Sequence, residues 1–150
     1  NLIKDEDIVM LTKNGMAIRF NSNEVAASSR ATIGIKGIEL KADDEVVSVM
    51  TVRHNDDALA VFTSRGMGKK FPVSELPVNH RAGKGLIVYK PTGVTGDVVA
   101  GTLVSDEDSI LIVSKSTSIC ISATEIPQQS RVSLGNQLIK NSNILSVSKV

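Results

Sequence analysis

The chain reads as all-β, with about three propeller-like blades of short antiparallel strands. Three observations predict this. Three segments superimpose at a spacing of about 50 residues, each has the same strand–turn–strand grammar, and no stretch sustains a helical period over three turns.

The segments run from Ile8 to Leu40, Leu59 to Tyr89 and Ile110 to Ile139. Phe20, Phe71 and Ile121 share one column, 51 and then 50 residues apart, and Glu24, Glu75 and Glu125 share another. Val25, Leu76 and Ile126 follow, then Arg30, Arg81 and Arg131, and finally Gly34, Gly85 and Gly135. Each repeat opens on an apolar run that reads as a buried strand: Ile8–Thr12, Leu59–Thr63, Ile110–Ser114. A turn comes next. Asn14-Gly15 is a strong hairpin signal because both residue types tolerate positive φ, and Arg65-Gly66 stands at the same place. The returning strand alternates, as in Met16-Ala17-Ile18-Arg19-Phe20, so one face is expected to be buried and the other to present a base. A polar stretch then carries the Glu, Arg and Gly columns. The repeat closes on a further strand: Glu45–Val52, Asp97–Val104, Asn143–Val150.

Units of this size with about four strands suggest blades at 8–57, 58–108 and 109–150 within a single domain, or part of one, spanning 1–150. Residues 1–7 align with the inter-blade connections and read as a seam from a preceding blade, so the chain reads as an excerpt of a longer protein. The third repeat is degenerate, with Ser116-Thr117 in place of the hairpin glycine.

Composition narrows the function classes. Of 150 residues, 41% are hydrophobic and 22% charged, which suits a soluble globular domain, and no apolar run is long enough for a membrane-spanning helix. No secretory leader is read at the start. A single cysteine, Cys120, and two histidines, His54 and His80, argue against a metal centre, and no cofactor is expected. Cys120 reads as a half-buried thiol of low reactivity. No nucleophile elbow or ordered triad stands out, so no catalytic residue is assigned. Four aromatics (Phe20, Phe62, Phe71, Tyr89) are too few for a stacking ladder along single-stranded nucleic acid. The Glu column reads as structural, a salt bridge or a backbone acceptor.

Charge looks balanced, with 17 Lys+Arg against 16 Asp+Glu and a net +1. Its distribution is not. Window 13–36 holds four bases and one acid, 65–90 six and one, and 115–140 three and one, so the windows carry +10 and the remainder −9. Positive charge in register with a structural repeat should form a basic stripe, the electrostatic footprint of a polyanion surface. The candidate phosphate contacts are Arg19, Arg30, Lys69, Lys70, Arg81, Lys84 and Arg131. Around two of them, Asn79-His80-Arg81-Ala82-Gly83-Lys84-Gly85 places glycines beside Lys84, where backbone can approach a phosphate closely. The competing reading is a propeller-like protein-interaction module whose charged faces are merely solvated.

The pattern of apolar strand, Asn-Gly turn, basic strand, Ser-Glu-hydrophobic and Arg-x-x-x-Gly resembles the C-terminal domain of the A subunit of bacterial type IIA topoisomerases, DNA gyrase and topoisomerase IV. Phe71-Pro72-Val73-Ser74-Glu75-Leu76 with Arg81-Ala82-Gly83-Lys84-Gly85 looks like one blade of that domain. Thr124-Glu125-Ile126 with Arg131 and Gly135 looks like its last. The resemblance implies a β-pinwheel, a disc of four-stranded blades that exchange strands. It also implies a non-catalytic role, in which a basic rim bends and wraps double-stranded DNA with little sequence preference to support supercoiling or decatenation. The implied setting is the bacterial cytoplasm, at the nucleoid. The partners would be the remainder of the A subunit, together with the B subunit, with the catalytic residues outside this chain. Tyr89 is then structural.

Overall fold

The computed structural model describes residues 6–23, 40–79, 83, 85–140 and 143–150, and builds twelve strands into three sheets among them. The first sheet has the order β3-β1-β2, from β1 (Asp7–Thr12), β2 (Met16–Asn21) and β3 (Val46–Val52). The second, with β4 (Ala58–Thr63), β5 (Met67–Pro72) and β8 (Val98–Val104), runs β8-β4-β5. The third runs β12-β9-β10, from β9 (Ser109–Ser114), β10 (Ser118–Ser122) and β12 (Ile144–Lys149). Hairpin register follows the sequence columns: Ile8 faces Phe20, Leu59 faces Phe71 and Ile110 faces Ile121.

The outer strand of a sheet comes from the next repeat. β6 (Val78–Asn79) pairs parallel with β2, and β7 (Leu86–Ile87) pairs antiparallel with its other end. β11 (Asn136–Gln137) adds to β5 in the same way. The long strands β3, β8 and β12 pack side by side in the middle, which leaves the borrowed strands at the periphery.

This exchange explains the hairpin glycines. The Gly15 carbonyl accepts from the Val88 and Tyr89 amides (2.7 and 3.2 Å), and that of Gly66 from Leu138 and Ile139 (2.8 and 3.4 Å). Both glycines have positive φ, 87° and 92°. A Cβ would stand 1.9 Å from the Tyr89 oxygen at the first turn and 2.1 Å from the Ile139 oxygen at the second. The third turn, Ser116-Thr117, carries no glycine. No strand joins the free edge of β10 among the described residues.

Alternation along the strands sends side chains into two inter-sheet layers. Val9, Leu11 and Ala17 meet Leu59, Val61, Phe71 and Tyr89 in the first. Ala60 and Phe62 meet Ile110, Ile112, Ala123 and Ile126 in the second. Each large apolar side chain so buried contributes about 1.5–3 kcal/mol. β2 and β5 are consequently buried on both faces, whereas β10 is nowhere fully buried. The expectation of a base-bearing solvent face on the returning strands is therefore corrected for β2 and β5. On β5 the third repeat covers the second face, where Lys70 reaches Ala123, and on β2 Ile18 and Phe20 are buried with Ile8, Met10 and Met16.

Candidate functional site

Three of the sequence-derived phosphate contacts lie in the interior: Arg19 is 8% exposed, Lys70 5% and Lys69 0%. Arg19 and Lys70 occupy the same column and do the same work. The Arg19 guanidinium pairs with Asp7 (2.8 Å), donates to Asn55 Oδ1 (2.9 Å) and reaches the Val73 carbonyl (3.1 Å) of the next repeat. Lys70 Nζ reaches the Ala123 carbonyl at 2.8 Å. Val73 and Ala123 each open the short 3₁₀ turn of their repeat, Val73–Glu75 and Ala123–Glu125. Each base thus ties one blade to the next with its charged end held inside the seam. Cys120 fills this column in the third repeat, where no tie is made. Read as a column of its own, Arg19/Lys70/Cys120 was a legible seam signal.

Lys69 Nζ donates to the Arg131 and Ser130 carbonyls (2.5 and 3.3 Å) and lies over Phe71 and Tyr89, 5.6 and 5.4 Å from the ring centroids. Burial, and next the Arg131 charge, lower its pKa to about 8, with Glu75 acting in the opposite sense. Tyr89 is fully buried and its hydroxyl donates to the Leu134 carbonyl at 2.6 Å, while burial pushes the phenol pKa upward.

Arg131 is half-buried on the peripheral connection and donates to the Ile87 carbonyl of the preceding repeat. Arg30, Arg81 and Lys84 lie outside the described residues. In the Glu column, Glu125 Oε2 accepts from the Ser122 amide (3.0 Å) while Ser122 Oγ accepts from Thr124 (3.2 Å), a capping box. Pro72 replaces that serine before the turn Val73–Glu75, which has no side-chain cap. Cys120 is exposed, a correction to the half-buried thiol expected, because its face of β10 is uncovered. Among the described residues no group of three or more His, Cys, Asp or Glu is placed to hold a metal, and no helix is long and apolar enough to cross a membrane.

The uncommitted bases are elsewhere. Among the described residues, the side chains of Lys13, Lys41, Arg65, Lys90, Lys115 and Lys140 form no hydrogen bond or ion pair. Strand register puts all six at one end of the sheets. The turns at 13–15, 64–66 and 115–117 close the hairpins there, and the backbones at Lys90 and Lys140 follow the segments seated on Gly15 and Gly66. Glu6, Asp7, Asp56, Asp57, Asp106, Glu107 and Asp108 sit at the opposite end, where β3 and β8 run out and β1, β4 and β9 begin. Sequence counting included most of these bases in its windows but did not single them out, because they share no single column.

Comparison with known proteins agrees with the geometry. The family model described as "DNA gyrase C-terminal domain, beta-propeller" matches residues 6–53, 57–106 and 121–143. The gyrase A protein of Kosmotoga olearia is 37% identical over 139 residues, covering 91% of this chain and 17% of the relative. Its namesake from Borreliella burgdorferi is 35% identical over 152 residues, 99% of this chain and 19% of its own length. The chain therefore spans under a fifth of these relatives. A solved DNA gyrase A C-terminal domain superimposes with a TM-score of 0.88 at 34% identity, covering 99% of this chain and 52% of that one. A topoisomerase IV C-terminal domain gives 0.86 at 26% identity, covering 97% of this chain and 47% of that one. With its hairpin columns, borrowed outer strands and central long strands, the chain belongs to the DNA gyrase A C-terminal domain family of β-propeller, or β-pinwheel, folds.

Proposed function

We propose that this chain is a non-catalytic module that binds and bends duplex DNA as part of a type IIA topoisomerase. One observation carries the reading: among the described residues, six unpartnered bases outnumber the four acids (Asp43, Asp44, Glu45, Asp97) at the hairpin end of the disc, while the seven acids named above collect at the other. Duplex DNA carries one negative charge per ~1.7 Å of axis, and bases with no internal partner are free to neutralise it and release counterions. Contacts of this kind position a duplex without reading its sequence, and curvature of the supporting disc converts binding into bending. Arg131, on a peripheral connection, extends the track, and Arg30, Arg81 and Lys84 remain candidates from the sequence alone. Arg19, Lys69 and Lys70 are not part of it. They hold the blades that carry it.

In this reading strand cleavage and ATP turnover belong to the remainder of the A subunit, together with the B subunit, and the module needs no cofactor. Supercoiling or decatenation would follow from the DNA path it imposes.

The test is an anisotropy titration of a ~40 bp duplex across 50–200 mM salt. Six phosphate contacts correspond to a slope of about −5 in log K against log salt. Arg81→Ala with Lys84→Ala should weaken binding and flatten that slope. Absent or salt-insensitive binding would sink the reading in favour of a propeller-like protein-interaction module.

A further inference from the structure

We propose that the cleft between the second and third hairpins, lined by Arg65, Lys115 and Lys140, is a DNA-phosphate site that draws the duplex from the periphery onto the hairpin face. The inference rests on the DNA-binding reading above and adds a location and an asymmetry to it.

The cleft measures about 700 Å³ and is lined also by Val94, Ser116, Gln137 and Asn143. Its three bases come from three separate segments, all exposed. Those segments are held rigidly. Gln137 Nε2 donates to the Arg65 and Ile139 carbonyls (both 2.6 Å), and the Ile144 amide donates to the Ser64 carbonyl (2.9 Å). The Lys115 amide donates to the Asn143 carbonyl at 3.0 Å. The backbones that carry three positive charges are thus fixed around one cleft before any ligand arrives, so that binding costs side-chain freedom but no backbone ordering.

The molecule supplies its own comparison. The first seam is built by the same bonds: the Val98 amide donates to Lys13, and the Tyr89 amide to Gly15, as the Ile139 amide does to Gly66. There Asn14 stands where Arg65 does, Ser64 where Lys115 does, and Lys90 where Lys140 does. At these three positions the first cleft therefore has one base where the second has three. It also holds Lys41 and Asp44, whose carboxylate accepts from the Asn14 amide at 2.9 Å, so its bases and acid sum to +1 against +3 in the second. The third repeat has lost an acid as well. Glu45, Asp97 and Asn143 each give their carbonyl to the hairpin residue of their own repeat, and only the last is neutral. A polyanion is thus drawn to one seam of two that share a backbone.

The experiment measures binding of a fluorescein-labelled ~40 bp duplex to the full chain by anisotropy, across 50–200 mM KCl. Arg65→Gln/Lys115→Gln/Lys140→Gln should reduce the salt slope by about 2.7 and weaken binding at least tenfold at 0.1 M salt. Lys90→Gln, in the counterpart cleft, should change the slope by less than Lys140→Gln does, and an equal change would overturn the asymmetry. If the wild type binds steeply and the triple variant keeps its slope and affinity, the cleft is not a phosphate site, while the DNA-binding reading stands. A wild type that binds no duplex overturns both. The single variants Lys115→Gln and Lys140→Gln, each expected to remove about one from the slope, decide the same question if the triple variant loses its fold.

Discussion

Replacing Lys69 with methionine keeps an unbranched apolar stem between Phe71 and Tyr89 and removes the buried ammonium. The lysine titrates at about 8 in the folded chain against an ordinary value of 10.5. A base with a depressed folded pKa is bound to more protons when unfolded, so its contribution to stability rises with pH between the two values. From pH 7 to 9.5 the two-state titration gives about 2 kcal/mol. Solvent screening around the half-buried Arg131 beside it reduces this to on the order of 1 kcal/mol. The window stops below pH 10 because the raised Tyr89 pKa has the opposite sign, costing stability once the unfolded phenol ionises. Urea unfolding of both proteins at pH 7 and 9.5, followed by far-UV circular dichroism, measures the difference. Wild type should gain on Lys69→Met by about 1 kcal/mol across that interval. Parallel pH dependences would refute the account of a buried, desolvated cation in the seam.

Three further outcomes follow from the seams and the open edge. Gly66→Ala should cost about 3 kcal/mol in urea unfolding, from the left-handed backbone penalty and loss of the two amide bonds to its carbonyl. An unchanged midpoint would contradict the close approach of Ile139. Arg19→Met should cost about 3 kcal/mol and Lys70→Met nearer 1.5, since Asp106, 3.8 Å from Lys70, is 85% exposed and adds little. Both variants should keep the wild-type salt slope for duplex DNA as long as they stay folded, and a slope reduced by one unit would return these bases to the phosphate-contact set. Cys120 should react with a thiol reagent such as Ellman's in the native chain about as fast as in urea; protection before unfolding would show that its face of β10 is covered.

The hairpins were legible because two signals coincide in them, a period of two and a column repeated at about 50 residues. The first strands expected at Ile8–Thr12, Leu59–Thr63 and Ile110–Ser114 form one residue longer, at Asp7–Thr12, Ala58–Thr63 and Ser109–Ser114. What misled was treating a charged residue within an alternating strand as a mark of solvent. That inference fails when sheets stack on both sides, because a lysine or arginine stem packs like an aliphatic chain while its head finds a carbonyl. Lys69 and Lys70 are adjacent and point to opposite faces, so their presence together already signalled that no single solvent face exists. The cleft at Arg65, Lys115 and Lys140 was hidden for another reason. Its members lie 50 and 25 residues apart, and only the borrowed strand β11, with the segment that follows it, brings them together.

Two populations of bases thus divide the work. Bending a duplex by 40–90° over 20–30 bp costs on the order of 1–6 kcal/mol, and under the proposed function a disc that yields at its seams would lose the curvature which that reading requires. The buried bases resist that yielding, joined at each seam by a hairpin-glycine carbonyl and an apolar layer. The exposed bases hold no internal partner, so their charge is available at the surface. Moving Lys69 or Lys70 outward would therefore add little affinity while weakening the support. A gain in grip is better sought at the first seam, where Asn14→Arg or Asp44→Asn would make the poorer cleft resemble the richer one.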